Sequence, residues 1–221
     1  MTVMQIRILS IAARNGGEEF LLRVELLEDV FDAELSHEPG REVRELSLLA
    51  DCYMELRPTR GVIGEEEFLA LSDAAAFSDA VRMGLRMLAF GANTKRGLET
   101  KLCRKGVSRE AASRAAFYLA SRGYISEEED AVREAERNVR KMRGRNRIRA
   151  ILYEKGYDGS AILAAERYLD EVDFVKICTS LIERRYSELL QDPVSQKKMA
   201  ATLMRNGFSM SEIRAAVRTL S

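Results

Sequence analysis

The chain has 221 residues, 46% of them apolar and 32% charged, with no tryptophan, three prolines and a formal net charge of zero. This composition is that of a helix-rich globular chain, long enough for one or two domains with real cores. It excludes a membrane-spanning protein, since no apolar run approaches the roughly 20 residues needed to cross a bilayer. The N-terminus carries no basic-then-apolar leader. Three scattered cysteines (Cys52, Cys103, Cys178) point to reduced thiols rather than to a disulfide frame or a zinc knuckle, and so to a cytoplasmic protein.

The zero average hides a polarised chain. Residues 1–80 carry 7 basic and 17 acidic side chains, whereas residues 81–221 carry 28 basic and 18 acidic ones. Either the second part meets a polyanion or an acidic partner, or the two parts neutralise one another internally.

The first 36 residues read as strands. Met4, Ile6 and Ile8 alternate with polar residues, as do Phe20, Leu22, Val24 and Leu26, and then Phe31, Ala33 and Leu35. Asn15-Gly16-Gly17 makes a turn between the first two. Helices are expected at about 42–56 and 65–76, which completes a small α+β unit with a short antiparallel sheet over residues 1–78.

From residue 79 onward the chain is helical, and a phrase recurs in it. Leu102-Cys-Arg-Lys-Gly106-Val107-Ser108 is followed by Leu152-Tyr-Glu-Lys-Gly156-Tyr157-Asp158 and Leu203-Met-Arg-Asn-Gly207-Phe208-Ser209, with the glycines 50 and 51 residues apart. Apolar residues precede each leucine by four: Leu98, Ile148 and Met199. Six, nine, ten and thirteen residues after each glycine stand Ala112, Ala115, Ala116, Leu119; Ile162, Ala165, Glu166, Leu169; and Ile213, Ala216, Val217, Leu220. These offsets place them on one face of a helix. The glycine would cap the preceding helix in a left-handed conformation, and Ser108, Asp158 and Ser209 would start the next by accepting backbone N–H bonds. An apolar-periodic stretch also precedes each pair, at 81–90, 131–142 and 174–186. The expected fold is therefore mainly α, with three tandem three-helix repeats (79–125, 126–170 and 171–221) in an elongated, curved array.

The catalytic inventory is thin. His37 is the only histidine and stands in a Glu38-Pro39-Gly40 turn, so a histidine-based metal site or a nucleophile relay has nothing to build on. The acidic runs 65–67 and 127–130 fall at helix starts, where carboxylates complement the helix dipole. Gly61-Val-Ile-Gly64 lacks the Lys-Ser/Thr that a phosphate cradle needs, and no Cys-x-x-Cys pair occurs. No catalytic residue, metal or cofactor is expected, and the chain reads as a non-enzyme.

The candidate binding residues are basic. Arg133, Arg137, Arg140 and Lys141 share one helix face, and Arg143, Arg145, Arg147 and Arg149 follow closely. Within residues 133–149 only Glu134 and Glu136 oppose these eight cations. Such a stripe engaging about six phosphates of a single strand would give a log K against log salt slope near −4. The alternative is a solvated face whose arginine stems cover apolar surface.

The ordered set Leu98-x-x-x-Leu102-x-x-Lys105-Gly106, Gly123-Tyr124-Ile125 and Gly144-x-x-Arg147-Ile148-x-x-x-Leu152-x-x-Lys155-Gly156 resembles the RecX family, modulators of the RecA recombinase. The likeness runs from about residue 80 to the end, and more loosely over the sheet unit. Gly91-Ala-Asn93-Thr94 and Ser126-Glu127 stand where that family usually has an Arg-x-Arg-Ser entry and an aspartate pair. The resemblance implies a monomeric cytoplasmic regulator that lies in the groove of the RecA–DNA filament and bridges neighbouring subunits. There it would suppress ATP hydrolysis and strand exchange and promote filament loss, with single- or double-stranded DNA contacted weakly or indirectly. Two other readings stay open: a general nucleic-acid-binding helical module, and a protein–protein scaffold whose basic face only solubilises it. The acidic first segment would partly cover the basic repeats and weaken their binding.

Overall fold

The computed structural model describes residues 4–28, 41–190 and 192–220. The alternating series Phe31, Ala33, Leu35 and the lone His37 lie outside the described residues. The chain divides into two compact units, Met1–Phe90 with Leu98–Ser121, and Gly91–Gly97 with Arg122–Ser221.

In the first unit, β1 (Met4–Arg14) and β2 (Glu19–Glu28) form an antiparallel hairpin. The connecting Asn15, Gly16 and Gly17 take φ of 49°, 69° and 98°, so the left-handed backbone falls where glycine tolerates it. β3 (Arg41–Leu49) pairs with β2 and the short β4 (Gly61–Ile63) with β1, giving an antiparallel sheet of order β3-β2-β1-β4. Ile6, Ile8, Leu22, Val24, Leu26 and Leu48 bury the inner face, as the period of two requires. The helix expected over 42–56 is corrected: residues 41–49 are a strand, and only α1 (Ala50–Leu56) is helical.

The two stretches read as separate helices around residue 78 are one, α2 (Glu65–Ala89). Ser78 does not break it. Its buried hydroxyl donates to Ala74 O (2.7 Å) within the helix and accepts the Leu49 N–H (3.0 Å) at the end of β3. α2 packs on β3 and on α4 (Arg109–Ser121), which follows α3 (Lys95–Arg104). Gly84 makes the close approach possible, since a Cβ there would lie 2.6 Å from a Leu119 methyl.

The second unit holds α5 (Glu127–Arg140), α6 (Arg145–Glu154), α7 (Gly159–Asp170), α8 (Phe174–Arg185), α9 (Pro193–Arg205) and α10 (Met210–Leu220). α5 packs on α7 and α8 on α10, around a core that includes Ala135, Ile148, Leu152, Ala165, Leu169, Cys178, Ile182, Leu203 and Phe208.

The recurring phrase builds the same helix ending three times. Gly106, Gly156 and Gly207 have φ of 90°, 77° and 99°. The following N–H of Val107, Tyr157 and Phe208 reaches back to Leu102, Leu152 and Leu203 O at 3.2, 3.3 and 3.1 Å. Each glycine N–H bonds the next carbonyl, at 2.9–3.0 Å, and together these bonds form the Schellman motif. The next helix then starts on Ser108, whose Oγ accepts Ala111 N–H (3.2 Å), on Asp158, which accepts Ala161 N–H (2.9 Å), and on Ser209. Ser209 Oγ accepts Glu212 N–H (3.2 Å) while Glu212 accepts Ser209 N–H (2.7 Å), a reciprocal capping box.

Two further contacts, both inside the second unit, recur at this interval. Thr94 Oγ1 donates to Lys155 O (3.1 Å), and Gly144 N donates to Asn206 O (2.9 Å). In each case the start of one helix docks on the residue before a later phrase glycine. At Gly144 the backbones touch: a Cβ there would lie 2.2 Å from Gly207 C, and one on Gly207 would lie 2.4 Å from Arg147 N.

Candidate functional site

The eight basic candidates lie on α5, the turn after it, and α6. Arg133, Arg137 and Arg140 project from one exposed face of α5, and Lys141 caps its C-terminus. The helix opens on Glu127–Asp130 and closes on Arg137 and Arg140, so its charges run with its dipole.

Folding adds five carboxylates that a count along residues 133–149 misses to the two inside it. Arg133 pairs with Asp130 (2.6 Å) and Glu129 (3.5 Å), Arg137 with Glu134, and Arg140 with Glu136 (3.4 Å). On α6, Arg147 pairs with Glu154 (3.4 Å) and Arg149 with Glu166 (2.6 Å). Glu166 is the one polar residue at the apolar positions of the repeat. Arg143, half-buried, donates to Asn138 Oδ1 (2.7 Å). Arg145 is tied into the fold: it donates to Leu169 O (2.6 Å) at the end of α7, pairs with Asp170 (2.8 Å) and lies over the Phe174 ring at 5.7 Å.

Six of the eight cations thus have carboxylate partners, seven carboxylates in all. The arginine ends of the α5 pairs are exposed, and the pairs to Glu129 and Glu136 are cheap to break, because solvent screens them. They can therefore exchange a carboxylate for a phosphate or an acidic side chain of a partner. Lys141 has no ion-pair partner among the described residues. It lines a cavity of about 350 Å³ together with Arg185 and Arg205, two cations outside the basic stretch. Each of the three stands at the end of a helix, the only signal the sequence carries for the set. Tyr153, exposed on α6, follows Arg149 by four residues and so shares its face, a second feature that charge counting passed over.

A polar junction joins the starts of α3, α5 and α7. Glu127, nearly buried, accepts the Lys95 N–H at the start of α3, and Thr94 Oγ1 accepts Gly97 N–H (2.9 Å) in the same turn. Burial raises the Glu127 pKa above the ordinary carboxylate value. Asp158 is held well below it, first by the Ala161 N–H and then by Lys95, which lies 3.0 Å away. Burial pushes Glu134 up, but the bonds from Lys155 and Asn138 outweigh it and its pKa is lowered. Tyr157 is pushed up to about 12 by burial. These groups join helices.

Among the described residues no group of three or more His, Cys, Asp or Glu side chains is placed to hold a metal ion. No described helix is long and apolar enough to cross a membrane.

No protein-family model matches the chain. It is 30% identical over 148 residues to a regulatory protein RecX from Chlorobaculum tepidum, a match that covers 66% of this chain and 91% of that one. A regulatory protein RecX from Stenotrophomonas maltophilia is 34% identical over 145 residues, covering 62% and 85%. Among solved structures, a regulatory protein RecX aligns over 95% of this chain and 97% of its own, with a TM-score of 0.70 at 18% identity. RecX from Lactobacillus salivarius aligns over 66% of this chain and 97% of its own, with a TM-score of 0.58 at 22% identity. The first shares the fold over nearly the whole chain, which is mainly helical with a small antiparallel sheet at the N-terminus.

Proposed function

The chain belongs to the RecX family of regulatory proteins, and from that premise we propose that it regulates the RecA recombinase by binding the groove of the RecA–DNA filament. There it inhibits ATP hydrolysis and strand exchange, as a cytoplasmic, monomeric protein without catalysis of its own. The observation that carries this reading is the 30% identity to a RecX regulator across 91% of that relative's length.

The helices then fall into three successive triplets, α2–α4, α5–α7 and α8–α10, corresponding to the repeats at 79–125, 126–170 and 171–221. Supporting this is the packing of first on third helix in each triplet, together with the three equivalent glycine endings. Arg133, Arg137, Arg140, Lys141, Arg143, Arg147 and Arg149 carry the contact to filament or DNA, while Arg145 holds α6 to α7 and α8. A second reading, direct binding of nucleic acid without recombinase specificity, is favoured by the exposed arginines of α5, which can reach phosphates.

RecA ATP hydrolysis on single-stranded DNA, measured while this protein is titrated well below the recombinase concentration, tests the proposal. Inhibition at such ratios is expected. Undiminished hydrolysis with retention of the DNA itself would leave only the second reading.

A further inference from the structure

The cavity beside the end of α5 differs from the basic face next to it in one respect. On α5 and α6 nearly every cation has a carboxylate partner, whereas Lys141, Arg185 and Arg205 have none among the described residues. They come from the ends of α5, α8 and α9, and no acidic residue lines the space between them.

Cations at helix C-termini also answer the helix dipoles, and that explanation can be weighed. Each C-terminus presents about half a negative charge, so three of them offset about 1.5 of the three positive charges. About 1.5 positive charges remain in a space of about 350 Å³, near the lower end of the range for small-molecule pockets. That surplus suits a singly charged phosphodiester.

The walls are preformed. Asn206 Nδ2 donates to Met142 O (2.9 Å), and Asn206 O accepts the Gly144 N–H (2.9 Å), so the end of α9 is tied to the turn after α5. Met142 holds a left-handed backbone (φ 54°) at this junction. Arg205 is steadied by a bond to Thr202 Oγ1 (3.1 Å). Tyr186, half-buried and packed against the apolar core, lines the cavity beside Arg185.

We propose that this cavity is a binding site for one nucleotide unit of a nucleic-acid strand. The phosphate sits between Lys141, Arg185 and Arg205, and the adjoining base stacks on Tyr186. A nucleic-acid strand fits better than an acidic protein segment, because the site pairs its cations with an aromatic face and has the volume for a nucleotide. The inference rests on the reading that this protein works on a nucleic-acid strand, and it places one contact of that strand off the α5 face.

The test is binding of a fluorescent oligothymidylate by the full chain, without recombinase, across a salt series. In the triple variant Lys141→Ala/Arg185→Ala/Arg205→Ala, the log K against log salt slope should fall in magnitude by about 0.7, the amount for one phosphate of a single strand. Affinity at 0.1 M salt should fall about fivefold, the same slope change expressed at that concentration. Arg185→Lys/Arg205→Lys should keep most of the binding, Tyr186→Phe all of it, and Tyr186→Leu should weaken it; thermal melts confirm that each variant is folded. Millimolar thymidine monophosphate should compete better than inorganic phosphate, since only the nucleotide offers a base to Tyr186. Equal competition by the two, an unchanged slope in a folded triple variant, or displacement of the oligonucleotide by a polyglutamate peptide at matched charge would each overturn the site. Recombinase ATPase, measured on the same variants, separates the two claims. Inhibition retained with an unchanged oligonucleotide slope sinks the cavity alone, whereas pocket-dependent binding without inhibition sinks the filament reading alone.

Discussion

Replacing Arg133, Arg137 and Arg140 together by glutamine separates binding from folding. All three are exposed on α5, and each pairs with a carboxylate three or four residues before it, at 2.6 Å to Asp130 in the case of Arg133 and 3.4 Å to Glu136 in the case of Arg140. The pairs to the exposed Glu129 and Glu136 add little to stability, whereas Asp130 and Glu134 are largely buried, Glu134 keeping Lys155 and Asn138 as partners, so the melting temperature should fall only modestly. The acids left behind also repel an incoming phosphate, which works further against binding. If each arginine neutralises one phosphate of a single strand, removing three lowers the magnitude of the log K against log salt slope by about 2. Referred to 1 M salt, that is about a hundredfold in affinity at 0.1 M. Fluorescence anisotropy on a labelled oligonucleotide, from about 50 to 300 mM salt, reads both quantities. A folded variant with the wild-type slope would refute the reasoning: the α5 face would then be a solvated surface whose pairs stay closed.

Two further substitutions test the glycine helix endings. Gly106→Ala and Gly207→Ala both force a left-handed alanine, costing about 1–2 kcal/mol, but only the Cβ at Gly207 meets backbone, 2.4 Å from Arg147 N. Urea unfolding should show a further loss of about 1–3 kcal/mol at Gly207, and equal losses would mean that the junction yields freely. Asp158 has a lowered folded pKa, so its contribution is complete above the ordinary aspartate value and fades as pH falls towards the folded one. Asp158→Asn keeps a cap for Ala161 but loses the Lys95 pair, so thermal melts should show a smaller loss of stability on acidification than in the wild type; an identical acid limb would remove Asp158 from the account.

Much of the helical part was legible because its signals are local. The Leu-x-x-x-Gly phrase sets its own left-handed ending, and Ser108, Asp158 and Ser209 lie beside the N–H groups they accept. The sheet edges were not legible, because their cause is distant. β3 is mostly exposed, with only Leu48 fully buried, so its apolar residues fit a helical period as well as a strand; pairing with β2, Leu22 opposite Leu46, decides the outcome. β4 has three residues, too few for any period to show. The helix expected to end near residue 76 runs on through Ser78, although serine competes for backbone bonds in helices. Here it satisfies the end of β3 from inside α2, which only the packed structure could require.

The basic face shows the same division between near and far. Its arginines cluster in the sequence, but Glu154, Glu166 and Asp170, which answer Arg147, Arg149 and Arg145, arrive from other turns and helices. A charge window counts formal cations and overstates the field wherever folding brings such partners. The reverse error occurs at Arg185 and Arg205, each unremarkable in its own segment, which join Lys141 of the basic stretch from up to 64 residues away. Unpaired charge, rather than dense charge, marks where an external anion gains most, because no internal carboxylate must first be displaced. By that criterion the site most ready for a phosphate is the cavity at the three helix ends, and the denser α5 face is where a partner must compete for its contact.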